Sequence, residues 1–419
     1  MRSLLRFSAT CLALATTSWI SAAPAPRPWN ADPFAPLTIE RIKALPSDIR
    51  EPWLAYWATS QRELTRLVVR PQADQSPLKP MSTPPKGGIH SKGLRLSEPP
   101  SYYQDEAAKT VANRIVEAQS PVGGWTKGVD YSQTLNESAA HRGAPMFDND
   151  ATTAELRFLA QVISANATDA HAPAWTEAFN RGLGYVFSAQ YPNGGFPQIY
   201  PLAGGYHDGV TYNDDAMTQV LEVLRDVASG KPPYAHVSAA RRAESAKRFQ
   251  RGIECVLATQ LKNASGELTV WCQQYDPLTL KASAARNFEP VADSSRESAG
   301  LVLLLMSLPD PSPRVIGAVE GAVSWFKRTA LHDIKVARAP ADVRGNVVPA
   351  PGAPPLWARF YEPGTTTPIF GDRDRTIHYV LSEISSERIA GYAWYTDLPS
   401  RVLTKFDSWK KKRPLATTR

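Results

Sequence analysis

Two short clusters of oxygen donors, Asp148-Asn149-Asp150 and Asn213-Asp214-Asp215, are the part of this chain best suited to chemistry. Each stands just before an apolar helical pattern. One such cluster alone reads as a helix cap, because Asp and Asn accept hydrogen bonds from free N–H groups and complement the helix dipole. Two of them at equivalent places in a repeat bring several carboxylates to the same end of neighbouring helices. That concentration of anionic oxygen is costly unless a cation neutralises it. Carboxylate and amide oxygens suit Ca²⁺ and not a soft transition metal. Asp148, Asn149, Asp214 and Asp215 are therefore the candidate metal ligands, with helix capping as the alternative.

Cations gather in the same frame. Lys127 follows Gly123-Gly124-Trp125. Arg286 stands before Asn287-Phe288-Glu289, Arg359 between Trp357-Ala358 and Phe360-Tyr361, and Arg373 between Asp372 and Asp374. Planar rings make sugar platforms, and guanidinium forks bind carboxylates bidentately. Tyr212, just before the second cluster, is a candidate substrate contact. No Gly-x-Ser-x-Gly, His-Glu-x-x-His or phosphate-cradling loop occurs. His141 and His207, in the loops ahead of the two clusters, read as structural or solvated.

A repeat positions these residues. Gln119, Gln190 and Gln260 each end an amphipathic run, at intervals of 71 and 70 residues. The runs carry Ala108, Val111, Ala112 and Ile115, then Trp175, Phe179, Leu183 and Val186, then Phe249, Ile253 and Val256, all on the helical period. Each is followed by a turn, a polar loop and a second, more apolar helix. The first two turns share the pattern Gln-x-Pro-x-Gly-Gly-aromatic. Stacked helical hairpins of this period share one core. The expected fold is all-α, an incomplete α/α toroid of about three helical-hairpin repeats with long cleft-forming loops. Val336–Pro368 reads as such a loop, and Arg373–Arg388 as a last helix.

The rest of the chain divides as follows. Residues 1–23 read as a signal peptide: Arg2 and Arg6, an apolar run, then Ser21-Ala22-Ala23. Residues 24–70 read as a helical N-terminal region. Residues 71–101 are a Pro-rich linker, with seven prolines between Pro71 and Pro100. The main domain is expected over 102–419. No other stretch is apolar for the ~18 residues of a membrane span, so the mature protein is expected to be soluble, monomeric, and secreted or periplasmic. Removing residues 1–23 takes two arginines and no acid, so the net charge falls from +7 to 7 − 2 = +5. A basic exported protein suits an acidic polysaccharide, a phosphate-bearing surface or nucleic acid. Cys255 and Cys272 remain, as a disulfide or as buried thiols, and make no zinc site.

Eight motifs in order carry a resemblance: Gly124-Trp-Thr-Lys127, Asp148-Asn-Asp-Ala-Thr-Thr153, Tyr191-Pro-Asn-Gly-Gly-Phe-Pro-Gln198, Tyr212-Asn-Asp-Asp-Ala-Met217, Trp271-Cys-Gln-Gln-Tyr-Asp276, Ala285-Arg-Asn-Phe-Glu289, Trp357-Ala-Arg-Phe-Tyr361 and Asp372-Arg-Asp374. Together, over roughly Tyr102–Tyr395, the chain resembles the pectate lyases of polysaccharide-lyase family 10. The resemblance implies a toroid and calcium-dependent anti-β-elimination of polygalacturonate, with no nucleic-acid or membrane partner. It implies Arg286 as base, Asp148, Asn149 and Asp214 at the calcium, and Lys127, Arg359 and Arg373 on uronate carboxylates. Asp215 stays a second candidate beside Asp214 for the metal. Two rivals are a glycoside hydrolase using Asp148 and Asp214 as a carboxylate pair and a non-catalytic pectin-binding protein.

Overall fold

The structure, a computed structural model, describes residues 24–29, 35–68, 91–135, 143–337 and 345–412. Residues 1–23, expected above as a signal peptide, residues 71–90 of the expected linker, and His141 lie outside these. The described chain is mainly helical, with strands of two to four residues. Helices α1 (Ile39–Lys43) and α2 (Ser47–Val68) open it, followed by α3 (Glu106–Glu117), α4 (Thr153–Ala165), α5 (Ala172–Ala189), α6 (Ala216–Ser229), α7 (Ala239–Thr259), α8 (Ser295–Met306), α9 (Pro313–Thr329), α10 (Ser386–Gly391) and α11 (Leu398–Lys411).

Successive helices pair as hairpins, α4 with α5, α6 with α7 and α8 with α9. Within the stack α4 touches α6 and α6 touches α8, while α3 touches α5 and α7 touches α9. The second helices α4, α6 and α8 are the more completely buried row: Leu156, Phe158 and Leu159, then Val220, Leu221 and Leu224, then Leu301, Val302 and Leu305 have no exposed surface. Helix α11 closes this end by packing on α8 and α9. At the other end α2 sets Trp53 and Tyr56 against Tyr191, with ring centroids 5.2 and 5.0 Å away.

The glutamines of the 70-residue period tie one repeat to the next. Gln119 Nε2 donates to Gly123 O in its own turn and to Ala178 O of α5, at 2.7 and 2.8 Å. Gln190 Nε2 donates to Gly194 O and to Arg248 O of α7, at 3.0 and 2.9 Å. Gln260 Nε2 does the same to Thr269 O and to Ala318 O of α9, at 2.8 and 2.9 Å. Each amide therefore satisfies a turn carbonyl and a carbonyl of the following helix. The first glycine of each Gly-Gly pair is needed here. Gly123 and Gly194 sit at φ 102° and 93°, and a Cβ would fall 2.6 Å from Arg181 O and 2.1 Å from Arg251 O. Gln190→Ala should leave two buried carbonyls short of a donor. An urea titration is expected to show a loss of about 1–3 kcal/mol.

The sequence reading missed the strands. Val336–Pro368 does not form one open loop: Ile334–Val336 pairs with Val347–Pro349, and Trp357–Ala358 with Tyr395–Thr396. A five-stranded sheet joins β1 (Arg27–Pro28), β2 (Asp293–Ser294), β3 (Phe360–Tyr361), β4 (Pro368–Gly371) and β5 (Thr376–His378) in the order β1-β5-β4-β3-β2. Arg373–Arg388 is correspondingly not a helix. It holds the β4–β5 turn, strand β5, a short 3₁₀ turn and only the start of α10. The aromatic segment Gly391–Tyr395 packs inward, with Trp394 against Phe360, Phe370 and Tyr392. Cys255 and Cys272 are both buried free thiols. Burial pushes their pKa values up to about 12 and about 11.

Candidate active site

The two acidic clusters fold alike and touch each other. Asn149 stands at φ 51°, ψ 51° and Asp214 at φ 50°, ψ 35°, with Asp150 and Asp215 following at φ 60° and 61°. Asn and Asp tolerate this left-handed region better than other non-glycine residues. The side chain at the N-cap position caps neither α4 nor α6. Backbone held in sparsely populated regions costs about 1–3 kcal/mol per residue and gathers at functional sites.

The carboxylates differ in what they meet. Asp148 is buried. One of its oxygens accepts a close ion-paired contact from Lys127, and Oδ1 is buried with no hydrogen-bond partner. Asp214 Oδ1 accepts from Arg359 at 3.1 Å and faces Arg296 at 3.4 Å, while its Oδ2 accepts from Asn213 at 3.0 Å. Burial works to raise the Asp214 pKa, but Arg359, Arg296 and Arg286 overcome it and hold the carboxyl below its ordinary value. Asp215 faces Arg296 at 3.7 Å. Burial, with Glu297 and Asp214 adding to it against Arg296, pushes Asp215 up to about 6.

Arg359 lies beneath this surface, 3% exposed. It ion-pairs with the fully buried Glu297, donates to Asn213 Oδ1 at 2.9 Å, and lies 4.5 Å from the Tyr392 ring centroid. Its hydrogen-bond partners are Asn213, Asp214 and Glu297. Tyr212 is also in the core, with no exposed surface and its hydroxyl 2.7 Å from Thr259 Oγ1. Both candidate substrate contacts are buried here, where they support the second acidic turn from below. Glu297→Ala should leave the buried Arg359 with Asp214 as its one remaining ion-pair partner among the described residues, a loss of up to about 3–5 kcal/mol. Denaturant unfolding of that variant is the check.

Arg286 is held in a turn closed on itself. Glu289 N–H donates to Arg286 O at 2.8 Å, and the Glu289 carboxylate accepts from Arg286 N, Nε and Nη2 at 3.1, 2.7 and 2.5 Å. Tyr392 donates its hydroxyl proton to Glu289 at 2.7 Å. The guanidinium lies 4.8 Å from the Phe288 ring centroid, where Arg373 and Arg388 approach at 5.4 and 4.5 Å. Burial would lower the Arg286 pKa, but the paired Glu289 charge holds it well above the ordinary arginine value. Arg286, Asn287, Arg373, Arg375, Tyr206 and Ala285 line one open pocket of about 390 Å³.

The structure places Lys127 at the first acidic turn, and Arg286 and Arg373 on one pocket wall. Sequence reasoning missed Arg296, Glu297 and Arg388. Glu289 was inside a quoted motif, and its spacing of three from Arg286 was the signal for a clamp. His207 is half-buried, with its ring centroid 3.9 Å from that of Tyr206. Burial leads in lowering its pKa, and Lys127 and Arg286 add to that against Gly204 and Asp148.

Among the described residues no group of three or more His, Cys, Asp or Glu side chains forms a ready-made metal cage. The donors at the two turns are nevertheless all oxygen, and the unpartnered Asp148 Oδ1 fits a hard cation.

Comparison with known proteins agrees with this frame. The family profile for pectic acid lyase matches residues 119–403. No curated protein matches the sequence. Two solved structures are similar over 74% of this chain, each at 29% identity with a TM-score of 0.67. One is a family 10 polysaccharide lyase from Cellvibrio cellulosa, covered over 94% of its length. The other is an Asp-to-Ala mutant of a family 10 polysaccharide lyase from the same organism in complex with trigalacturonic acid, covered over 95%.

Proposed function

The chain belongs to the pectic acid lyase family and is a pectate-cleaving lyase; from that premise we propose that it breaks polygalacturonate by calcium-dependent anti-β-elimination, with Arg286 taking the C5 proton. The observation that carries this reading is the common wall formed by Arg286, Asn287 and Arg373. Electrostatic interactions connect Arg286 to the acidic turn at Asp214.

Asp148, Asn149 and Asp214 would hold the calcium, with Asp215 as a further oxygen donor. Bound there, calcium would offset the negative charge that grows on a uronate carboxylate as C5 loses its proton. The protein's own residues do the rest. Lys127 orients Asp148 and stands ready for a uronate carboxylate, Arg373 grips another, and Arg359 fixes Asp214 from below. Arg286 takes the proton from C5, a C4–C5 double bond forms, the C4–O bond breaks, and the leaving oxygen is protonated by water. An arginine can serve as base only fleetingly, since its ordinary pKa is above about 12. Activity is therefore expected to be alkaline.

The paired helices are proposed as arcs of an incomplete α/α toroid whose second helices form the inner row. The pattern of residues 1–23 supports export to the periplasm or outside the cell, and we propose a monomer. No helix among the described residues is long and apolar enough to cross a membrane.

Mass spectrometry of the products from trigalacturonate tests the reaction class. Elimination gives fragments whose masses sum to that of the substrate. Fragments that together carry one extra water would establish hydrolysis and sink the elimination reading.

A further inference from the structure

The cations around the cleft are mostly neutralised inside the protein. Lys127 is paired with Asp148, Arg286 with Glu289, Arg359 with Glu297, and Arg296 with Asp214. Arg373 and Arg388 share Glu387. Arg375 differs. Among the described residues no carboxylate makes an ion pair with it, and its side chain has one hydrogen bond, from Nε to the neutral Asn287 Oδ1 at 3.3 Å. Asn287 in turn donates to Arg373 O at 3.1 Å, which ties the two arginines to one amide.

The backbone at Arg375 is unusual as well. It closes the turn between β4 and β5, with its N–H on Asp372 O at 3.1 Å, and stands at φ 65°. Glycine or asparagine is the ordinary occupant of a left-handed position in such a hairpin, because a longer side chain there is strained. Arg375 is exposed, so core packing does not repay the strain. Its carbonyl accepts from Trp29 N–H at 3.1 Å, which fixes the turn from the N-terminal strand. A bulky cation in a glycine-favouring position, on the wall it shares with Arg286 and Arg373, points to a ligand-directed role.

We propose that Arg375 binds a uronate carboxylate and selects for free acids over methyl esters. The proposal rests on the pectate-cleaving reading and deepens it. A free carboxylate offers two anionic acceptors to the guanidinium fork, whereas a methyl ester offers a neutral carbonyl. Facing an ester, the one unneutralised arginine of the pocket would be desolvated without a counter-charge, which penalises that substrate. Arg373, already paired with Glu387, gains less from the same carboxylate.

The test compares the wild-type protein with Arg375→Gly and Arg375→Lys, in the presence of calcium. Steady-state kinetics would be measured on polygalacturonate and on pectins of increasing methyl esterification. Calorimetry with trigalacturonate, in an Arg286→Ala background, reads binding without turnover. Losing one charge-assisted interaction is expected to raise KM and weaken binding about tenfold, with kcat little changed. Arg375→Gly should also narrow the preference for unesterified substrate and melt no lower than wild type, since glycine accepts the positive φ. Arg375→Lys should recover most of the binding. Wild-type KM and wild-type ester preference in Arg375→Gly would overturn the proposal. If the wild type yields no elimination product yet trigalacturonate binding still depends on Arg375, the carboxylate-binding role stands and the lyase mechanism falls.

Discussion

Arg286→Ala is expected to lower kcat on polygalacturonate by about 10²- to 10⁴-fold, the usual contribution of a positioned base, while trigalacturonate binding persists. The expectation follows from where the side chain stands. Its Nε and Nη2 are fixed by Glu289, the guanidinium lies over the Phe288 ring, and the side chain lines the pocket. The same clamp sets a difficulty. Glu289, fully buried and hydrogen-bonded by Tyr392, holds the guanidinium protonated. To act as a base the group must give up a proton against that field, and this favours high pH. Arg373 and Asp214 also face it electrostatically, with opposite effects. Glu289→Gln keeps the shape and removes the counter-charge, so it should lower the Arg286 pKa. The rising limb of the pH–rate profile is then expected to move to lower pH. An Arg286→Ala enzyme with wild-type kcat would remove the residue from the chemistry, as would a Glu289→Gln profile that does not move.

Chelation is expected to abolish turnover, and added calcium to restore it. Asp148→Ala should prevent that restoration. The paired turns carry uncommon left-handed backbone, and one buried Asp148 oxygen has no hydrogen-bond partner among the described residues. A cation that binds the folded state and not the unfolded chain also stabilises it, by about 2.7 kcal/mol at a hundredfold excess over Kd. Thermal melting therefore gives a readout independent of activity. Calcium should raise the wild-type melting temperature and leave Asp148→Ala unmoved. Equal shifts in both proteins would place the ion elsewhere.

The helices were legible because their apolar residues recur at the helical period and because Gln119, Gln190 and Gln260 mark each repeat. The contacts of those glutamines with the next helix were not legible, since they depend on which hairpins stack. The strands were missed for a physical reason. Pairs such as Phe360–Tyr361 and Thr376–His378 are too short for alternation to show, and they are fixed by partners far away in sequence. At the site, residue type and order singled out Asp148, Asp214 and Arg286 as candidates. Burial decided what sequence could not. Arg359 and Tyr212 look like cleft residues beside aromatic neighbours, yet Glu297 and Thr259 hold them inside. Arg296 was hidden because one arginine at a helix start carries no signal until the second acidic turn is folded against it.

The most direct measurement is ultraviolet absorbance of polygalacturonate incubated with purified protein at alkaline pH and with calcium present. Elimination leaves a C4–C5 double bond conjugated to the uronate carboxylate. A steady rise in absorbance is predicted for the wild type, and no rise for Arg286→Ala. Cleavage of the polymer without any new absorbance would contradict the account.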